Sequence, residues 1–384
     1  MTVLLDDGQA DPGTHVLLVG VGHYPFLKDG DAANPFPLHM GMGQLSSPPL
    51  SVRELAAWFM DANAGFHNPV CPLRSLQVLC SPGVPMSIND AGGVPQAIDR
   101  ARMPSVRQAV IDWMQRAGRN QENMAVFFFC GHGLAFGEAE NTLLLEDFGS
   151  NPVNPMADAI AFDSMRLGVM RHCGANYQIH LVDACRTPPT DDFLDTYGTK
   201  ATGDPIAAAG LNRKLRHKIV PVYFATGLAS SAYGLTGQAS LFTQGLLQSM
   251  RGPASRDKGV HWEVQVPALA EGINKCVASM DFQAQPQYCQ PHETGRELMI
   301  HRLRNAPEVI VKVFTRDLAL LPQAILAHVD HIGGRMERAP APAPWWVALS
   351  TGSYSFEALA ALDKTQVLGQ TRKYVVPPAS EIGL

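Results

Sequence analysis

Two long apolar runs in this chain each lead to a side chain that can take part in chemistry. Residues 124–130 read Met-Ala-Val-Phe-Phe-Phe-Cys and lead through a glycine to His132, and residues 177–182 lead to Asp183-Ala-Cys185. An apolar run of this length, uninterrupted in 124–130, is typical of a strand buried on both faces of a parallel sheet. Parallel strands lie about 4.8 Å apart, and α/β proteins form their sites at the carboxyl edge of the sheet. The two runs therefore predict neighbouring strands that bring a histidine and a cysteine together.

Strand and helix patterns alternate through most of the chain. Further strands are predicted at 15–22, 73–80 and 219–225, with a short strand at 142–145, and helices at 51–60, 104–114, 162–171, 240–250 and 266–280. Ser51 has the side chain of an N-cap for the first of these helices. The alternation favours βαβ units and a mostly parallel sheet flanked by helices.

After about residue 302 the pattern changes to strands alone. These strands are predicted at 308–314, 324–329, 345–350 and 365–376, around a Pro-rich tract at 340–344. We therefore predict an N-terminal tail (1–14), an α/β domain (15–301) and a small β-rich accessory domain (302–384). The polar segment 187–217 is predicted to be a long exposed loop and an early site of proteolysis, because long structureless loops are usually functional.

Composition excludes several classes of protein. The chain has 384 residues, of which 46% are hydrophobic, and a net charge of −5, so electrostatics favours neither nucleic acid nor an anionic membrane as a partner. Its first residues lack a basic n-region, and no apolar run approaches the ~18 residues of a membrane span, so we expect neither a signal peptide nor a span. Seven cysteines without a C-x-x-C spacing disfavour a disulfide framework and support a metal site only weakly. We expect a cytoplasmic protein with reduced thiols, no metal and no cofactor, and calcium dependence stays open.

A nucleotide-binding loop is the first alternative function to consider. Gly20-x-Gly22 resembles the start of G-x-G-x-x-G, but the third glycine would fall at Pro25. Proline cannot replace a glycine that allows close approach of the pyrophosphate, so we reject this interpretation.

The order of the segments resembles that of the caspase-like cysteine proteases, which include metacaspases, paracaspases and many bacterial relatives. The resemblance covers roughly residues 15–290, and His132 precedes Cys185 by 53 residues, against about 50 in caspases. The matching segments are Gly-Val-Gly-x-Tyr (20–24), Cys-Gly-His-Gly (130–133), Thr-Leu-Leu-Leu-Glu-Asp (142–147), Asp-Ala-Cys-Arg (183–186), Ala-Thr-Gly-Leu-Ala-Ser-Ser-Ala-Tyr (225–233), Ser-Leu-Phe-Thr (240–243) and Gln-Pro (285–286).

The resemblance implies a cysteine endopeptidase that acts through a Cys–His dyad. Cys185 would be the nucleophile and His132 the acid/base. The backbone N–H groups of Gly133 and Cys185 would form the oxyanion hole, where a glycine allows close approach of the substrate. No third side chain that orients His132 can be named from the sequence.

The resemblance also implies that Asp183 lines the pocket for the substrate side chain before the cleaved bond, with Ala232 and Tyr233 as further substrate-binding residues. Metacaspases and paracaspases have Asp at this position and cleave after Arg or Lys. Residues 45–51, however, lack the second acid that metacaspases commonly supply, so basic and neutral specificity both stay open. A purely structural Asp183 would cap a strand end or pair with Arg186.

A protein substrate is expected, and a non-proteolytic binding or scaffold protein on the same fold is the alternative. The intact pair of His132 and Cys185 favours the peptidase. By analogy with bacterial relatives, the chain would be a regulated effector, as in bacterial defence, activated by a protein partner that binds residues 302–384.

Overall fold

The computed structural model describes residues 2–198, 217–280 and 287–384. Contacts within the chain define two compact units. The first comprises Met1–Gln244 with Gln287–Leu298, and the second comprises Gly245–Pro286 with Met299–Leu384. The domain boundary at residue 302 stays a prediction.

A seven-stranded sheet forms the centre of the first unit. Its five inner strands are parallel and its two outer strands are antiparallel to their neighbours. In spatial order they are β1 (Thr2–Asp6), β3 (Leu73–Ser81), β2 (Thr14–Val21), β6 (Met124–Gly131), β10 (Tyr177–Ala184), β11 (Val222–Phe224) and β14 (Gln290–His292). The predicted fold class, a mostly parallel sheet flanked by helices, is confirmed.

The pairing of β6 with β10 places the two sequence motifs side by side. The strands pair residue for residue, from Met124 with Tyr177 to Gly131 with Ala184. Every residue of β6 is buried, which explains its uninterrupted apolar sequence. Continuing this register by one residue, His132 is the neighbour of Cys185 at the carboxyl edge.

Helices flank this sheet, and most agree with the predicted spans. They are α1 (Ser47–Met60), α2 (Met103–Ala117), α3 (Phe162–His172) and α4 (Asp191–Tyr197), and the chain passes from the first unit to the second within α5 (Leu241–Ser249). The prediction that Ser51 caps α1 is wrong, because Pro48 and Pro49 are tolerated in a first helical turn and the helix starts before them. The Ser51 hydroxyl instead accepts a hydrogen bond from the Ser240 N–H at 3.0 Å.

Two segments without predicted elements contain regular structure. The segment 1–14 contains β1, which pairs with β3, and the segment 187–217 contains α4, whose Phe193 is fully buried. The prediction of a loop throughout 187–217 is therefore wrong for α4. Residues 199–216 lie outside the described residues.

Short strands complete the first unit. A hairpin joins β4 (Ser87–Asn89) to β5 (Pro95–Ala97), and a three-stranded sheet contains β7 (Gly133–Ala135), β8 (Asn141–Leu144) and β9 (Ala159–Ala161). Because β7 begins directly after His132, this small sheet lies at the edge where the two motifs meet.

The second unit is rich in β-structure, as predicted for the C-terminal region. It contains α6 (Val266–Ser279), which contacts a three-stranded sheet of β12 (Ser255–Asp257), β13 (Trp262–Gln265) and β15 (Met299–Arg302). Two further sheets share one apolar core. The first has the order β19 (Trp345–Ser350), β16 (Glu308–Phe314), β22 (Ala379–Gly383), and the second has the order β18 (Arg335–Arg338), β17 (Ala324–Val329), β20 (Gly352–Ala360), β21 (Val367–Val375). The strands of this unit that were not predicted from the sequence are β12, β13, β15, β18, β20 and β22.

Candidate active site

Cys185 lies directly after β10, and its thiol is only partly buried, unlike the other six cysteines. The backbone N–H of Ala232 donates a hydrogen bond to the Cys185 Sγ at 3.3 Å. Burial raises the pKa of the Cys185 thiol, and this N–H opposes the shift because it favours the thiolate. The Ala232 N–H is therefore one of the groups beside the thiol that favour its ionised, nucleophilic form.

His132 is held by a backbone carbonyl. Its Nε2 lies 2.7 Å from the Gly43 oxygen, and since a carbonyl can only accept, Nε2 carries the proton. Burial lowers the pKa of His132, so the neutral ring is favoured and Nδ1 is left with a free lone pair. The ring is thus prepared to accept a proton at Nδ1.

Tyr24 contacts the same histidine through both its ring and its hydroxyl group. Its ring centroid lies 4.8 Å from that of His132, and its hydroxyl accepts from the His132 backbone N–H at 2.8 Å. The hydroxyl also donates to the Leu144 carbonyl at 3.3 Å. A Cβ at Gly131 would lie 2.7 Å from the Tyr24 hydroxyl oxygen, so a side chain at Gly131 would displace this contact.

Tyr24 and Gly43 are the two supporting residues that sequence reasoning missed. Tyr24 stands in the Gly-Val-Gly-x-Tyr segment, so a signal for it existed. Gly43 acts through a backbone oxygen in a loop, and a backbone atom leaves no signal in the residue type.

Gly133 packs tightly against the strand of the cysteine. A Cβ at this position would lie 2.6 Å from the Cys185 oxygen and 2.9 Å from the Ala184 Cβ. Only glycine allows the β7–β8 hairpin to approach the cysteine this closely, which agrees with the steric argument for an oxyanion hole at Gly133. The oxyanion hole itself stays a prediction.

Asp183 is buried, and three neutral donors converge on its Oδ2. Hydroxyl groups of Ser240 and Thr243 donate to this oxygen, the latter at 3.2 Å, and the Cys130 thiol donates at 3.3 Å. Burial raises the pKa of Asp183 to about 6, although the three hydrogen bonds act in the opposite direction. Within the described part of the chain no hydrogen bond joins Asp183 to Arg186, so a pair between them is excluded as the role of Asp183 in this structure.

Ala232 and Tyr233 belong to a loop that several hydrogen bonds hold in place. Ala232 contacts the thiol, the Tyr233 N–H donates to the Gln287 Oε1 at 2.8 Å, and the Leu241 N–H donates to the Tyr233 carbonyl at 3.1 Å. The loop therefore lies beside Cys185, as expected for a substrate-binding segment. Contact of Ala232, Tyr233 or Asp183 with substrate stays a prediction.

The register of β6 and β10 makes Cys185 and His132 neighbours. Among residues 2–198, 217–280 and 287–384, however, no hydrogen bond joins the His132 ring to the Cys185 thiol. Catalytic hydrogen bonds are often long before substrate binds and shorten in the complex. The arrangement can therefore support nucleophilic chemistry once the thiol and Nδ1 approach each other.

Comparison with known proteins identifies the family. The family model of the caspase domain (peptidase family C14) matches residues 15–296. The chain belongs to the caspase-domain family. An uncharacterized protein, y4kE, from Sinorhizobium fredii (strain NBRC 101917 / NGR234) is 25% identical over 271 residues, which are 68% of this chain and 74% of that protein. The solved structure of caspase-1 from Spodoptera frugiperda superimposes with a TM-score of 0.43 at 10% identity, covering 78% of this chain and 98% of the caspase.

Membership in the caspase-domain family makes this a chain of the cysteine-peptidase type, for which proteins are the substrate class. In the described ranges, 2–198, 217–280 and 287–384, no helix combines the length and apolar character needed to cross a bilayer.

Proposed function

We propose that this protein is a cysteine endopeptidase whose nucleophile is Cys185 and whose acid/base is His132. The observation that carries the proposal is the register of β6 and β10, which makes these two residues neighbours at the sheet edge. The Gly43 carbonyl supports it, because it holds the proton on Nε2 and leaves Nδ1 as the base.

The reaction begins with transfer of the Cys185 thiol proton to Nδ1 of His132. The thiolate then adds to the scissile carbonyl carbon, and the backbone N–H groups of Gly133 and Cys185 stabilise the resulting oxyanion. As the tetrahedral intermediate collapses, the C–N bond breaks and the imidazolium protonates the leaving amine. Water, deprotonated by His132, hydrolyses the thioester and restores the thiol.

Asp183 supports a preference for Arg or Lys before the cleaved bond. Its Oδ2 is occupied by three donors, so Oδ1 is the oxygen that remains for a substrate cation. An Arg or Lys side chain would pair with a carboxylate whose other neighbours are neutral. Neutral specificity is the alternative, because the three donors already stabilise Asp183 and residues 45–51 supply no second acid.

A regulated effector role is part of the same proposal. The β-rich region 302–384 contains no cysteine, so it has no thiol nucleophile of its own and suits binding of an activating protein. A non-proteolytic scaffold is the second candidate function, since no hydrogen bond joins the His132 ring to the Cys185 thiol among the residues that the structure describes.

Replacement of single cysteines tests the assignment. Cys185→Ala should lower cleavage of fluorogenic peptides by at least about 10³-fold, since the covalent step is lost. Cys173→Ala is the matched control, because Cys173 is a buried thiol that follows α3. Full activity in Cys185→Ala, or its loss in a folded Cys173→Ala, contradicts the assignment. A wild-type protein that binds peptides but never cleaves them supports the scaffold.

A further inference from the structure

Arg186, the residue after the proposed nucleophile, is almost fully buried, with only 2% of its surface exposed. Arginine is among the residues least often buried, and a buried cation is normally paired with a carboxylate. Here the guanidinium donates to three neutral acceptors instead. They are the Asn141 Oδ1 at 2.8 Å, the Gln290 Oε1 at 2.7 Å and the Glu138 carbonyl at 3.3 Å.

Stability alone does not account for this side chain. Its guanidinium carbon lies 4.2 Å from the centroid of the Phe224 ring, within cation–π distance, and such a contact contributes only about 0.5–2 kcal/mol. Replacing a buried charge and its partners by apolar groups is often neutral or stabilising. The arrangement instead uses the planar fork of arginine, which reaches several acceptors in fixed directions.

Two of the three acceptors belong to the β7–β8 hairpin, which begins at Gly133. Asn141 opens β8, and Glu138 lies in the turn before it. Asn141 is itself anchored, because its backbone N–H and its side-chain amide both donate to the Asp163 Oδ2, at 2.8 and 2.9 Å. Arg186 therefore ties the hairpin to the strand that carries the nucleophile.

The remaining contacts of Arg186 lead to the loop beside the thiol. Its backbone N–H donates to the Ser230 carbonyl at 3.1 Å, and its carbonyl accepts from the Ala229 N–H at 2.8 Å. Gln290 lies three residues after Gln287, which accepts from the Tyr233 N–H. This loop presents the Ala232 N–H to the sulfur.

We propose that Arg186 is a positioning residue that holds the Gly133 hairpin and the Ala232 loop in fixed places around Cys185. Its effect on rate rests on the proposed peptidase function, whereas its effect on the hairpin and the loop does not.

Hydrogen exchange of the full-length protein, measured by mass spectrometry, tests whether Arg186 holds the hairpin and the loop in place. In Arg186→Lys the charge remains but the fork is lost, and exchange in residues 133–145 and 226–240 should become about tenfold faster, as expected for a lost charge-assisted hydrogen bond. Gln290→Met should accelerate only 226–240, since it removes the acceptor on that side alone. The exposed Arg256→Ala, whose partner is Glu271, is the control and should change neither segment.

Steady-state kinetics tests the effect of Arg186 on catalysis. The rates are normalised to the number of thiols that an irreversible inhibitor titrates. Arg186→Lys should lower kcat by about 10²-fold with KM within about threefold, because a displaced oxyanion donor acts in the transition state. Unchanged exchange in both segments overturns the proposal, as does a variant with normal kcat per titrated thiol and only a lowered Tm. If the wild type cleaves no peptide, the proposed function fails, and the exchange rates alone decide the role of Arg186.

Discussion

Buried polar side chains have different surroundings at the carboxyl edge of the sheet in the first unit and inside the sandwich of the second unit, which is formed by the two sheets of β16–β22 that share one apolar core. At the edge, Asp183 accepts three hydrogen bonds, and the buried Glu146 accepts from the Ser81 hydroxyl at 2.6 Å and from two arginines. Inside the sandwich, neither ring nitrogen of the buried His328 has a partner among the described residues. Its neighbours are aromatic rings, and Trp345 stacks on it at 5.4 Å.

His180 shows that position along a strand, and not membership of a unit, causes this difference. It lies in β10, three residues before Asp183, and both of its ring nitrogens also lack a partner in the described part of the chain. Phe127 and Phe162 pack around it, and burial lowers its pKa to about 3. Near its strand end Asp183 meets hydroxyl groups from outside the sheet, whereas at the strand centre His180 is surrounded by aromatic side chains. Edge substitutions should therefore change chemistry, and interior substitutions should change stability.

The largest expected effect is at the edge. His132→Ala removes the base at the proposed dyad and should lower kcat/KM by about 10²–10⁴-fold, with little change in thermal stability. His172→Ala, an exposed histidine at the end of α3, is the control and should leave the rate unchanged. Peptide cleavage within about tenfold of wild type in His132→Ala would show that another residue serves as base.

Next in size is a substitution inside the sandwich. Phe356→Ala removes a fully buried ring and should lower the free energy of unfolding by about 3–5 kcal/mol, measured by urea titration. Leu362→Ala, at a fully exposed site, should change it by less than about 0.5 kcal/mol. The rate per titrated thiol should stay unchanged while Phe356→Ala is folded. A tenfold lower rate in the folded variant would make the second unit part of the catalytic apparatus.

A smaller effect is expected for specificity at Asp183. The kcat/KM ratio for peptides with Arg against Leu before the cleaved bond should fall as the pH decreases through about 6, because protonation removes the carboxylate charge. Using a ratio cancels the ionisation of the dyad. Asp183→Asn should lower the ratio at neutral pH by about tenfold or more and remove its pH dependence. A ratio near one in the wild type would establish neutral specificity instead.

The smallest effect concerns His328. Burial lowers its pKa, so the unfolded chain binds more protons below the ordinary value of 6.5. Its contribution to stability is present above pH 6.5 and is lost as the pH falls below it, by at most about 1.4 kcal/mol per pH unit. His328→Phe should flatten the pH dependence of the unfolding free energy by that slope. An unchanged slope would mean that the folded protein accepts the proton on His328.

Much of the first unit could be predicted from the sequence, because its inner strands are buried on both faces and are therefore mostly apolar. The spans 124–130 and 177–183 agree with β6 and β10 for this reason. The edge strand β1 was missed, since five residues of mixed pattern do not distinguish a strand from a tail. In the second unit β18 and β20 were missed. β18 is short and β20 is only half-buried, so neither has the long apolar run that marks a fully buried strand.

The sequence by itself determined the class of the fold, the family and the two candidate reactive residues, because long apolar runs and the residues that end them are local features. Only the tertiary structure decided what surrounds them. The Gly43 carbonyl on His132, the three donors on Asp183 and the three acceptors of Arg186 come from segments far apart in the chain. Backbone atoms and uncharged side chains make most of these contacts, and such groups become specific only when folding brings them within hydrogen-bonding distance.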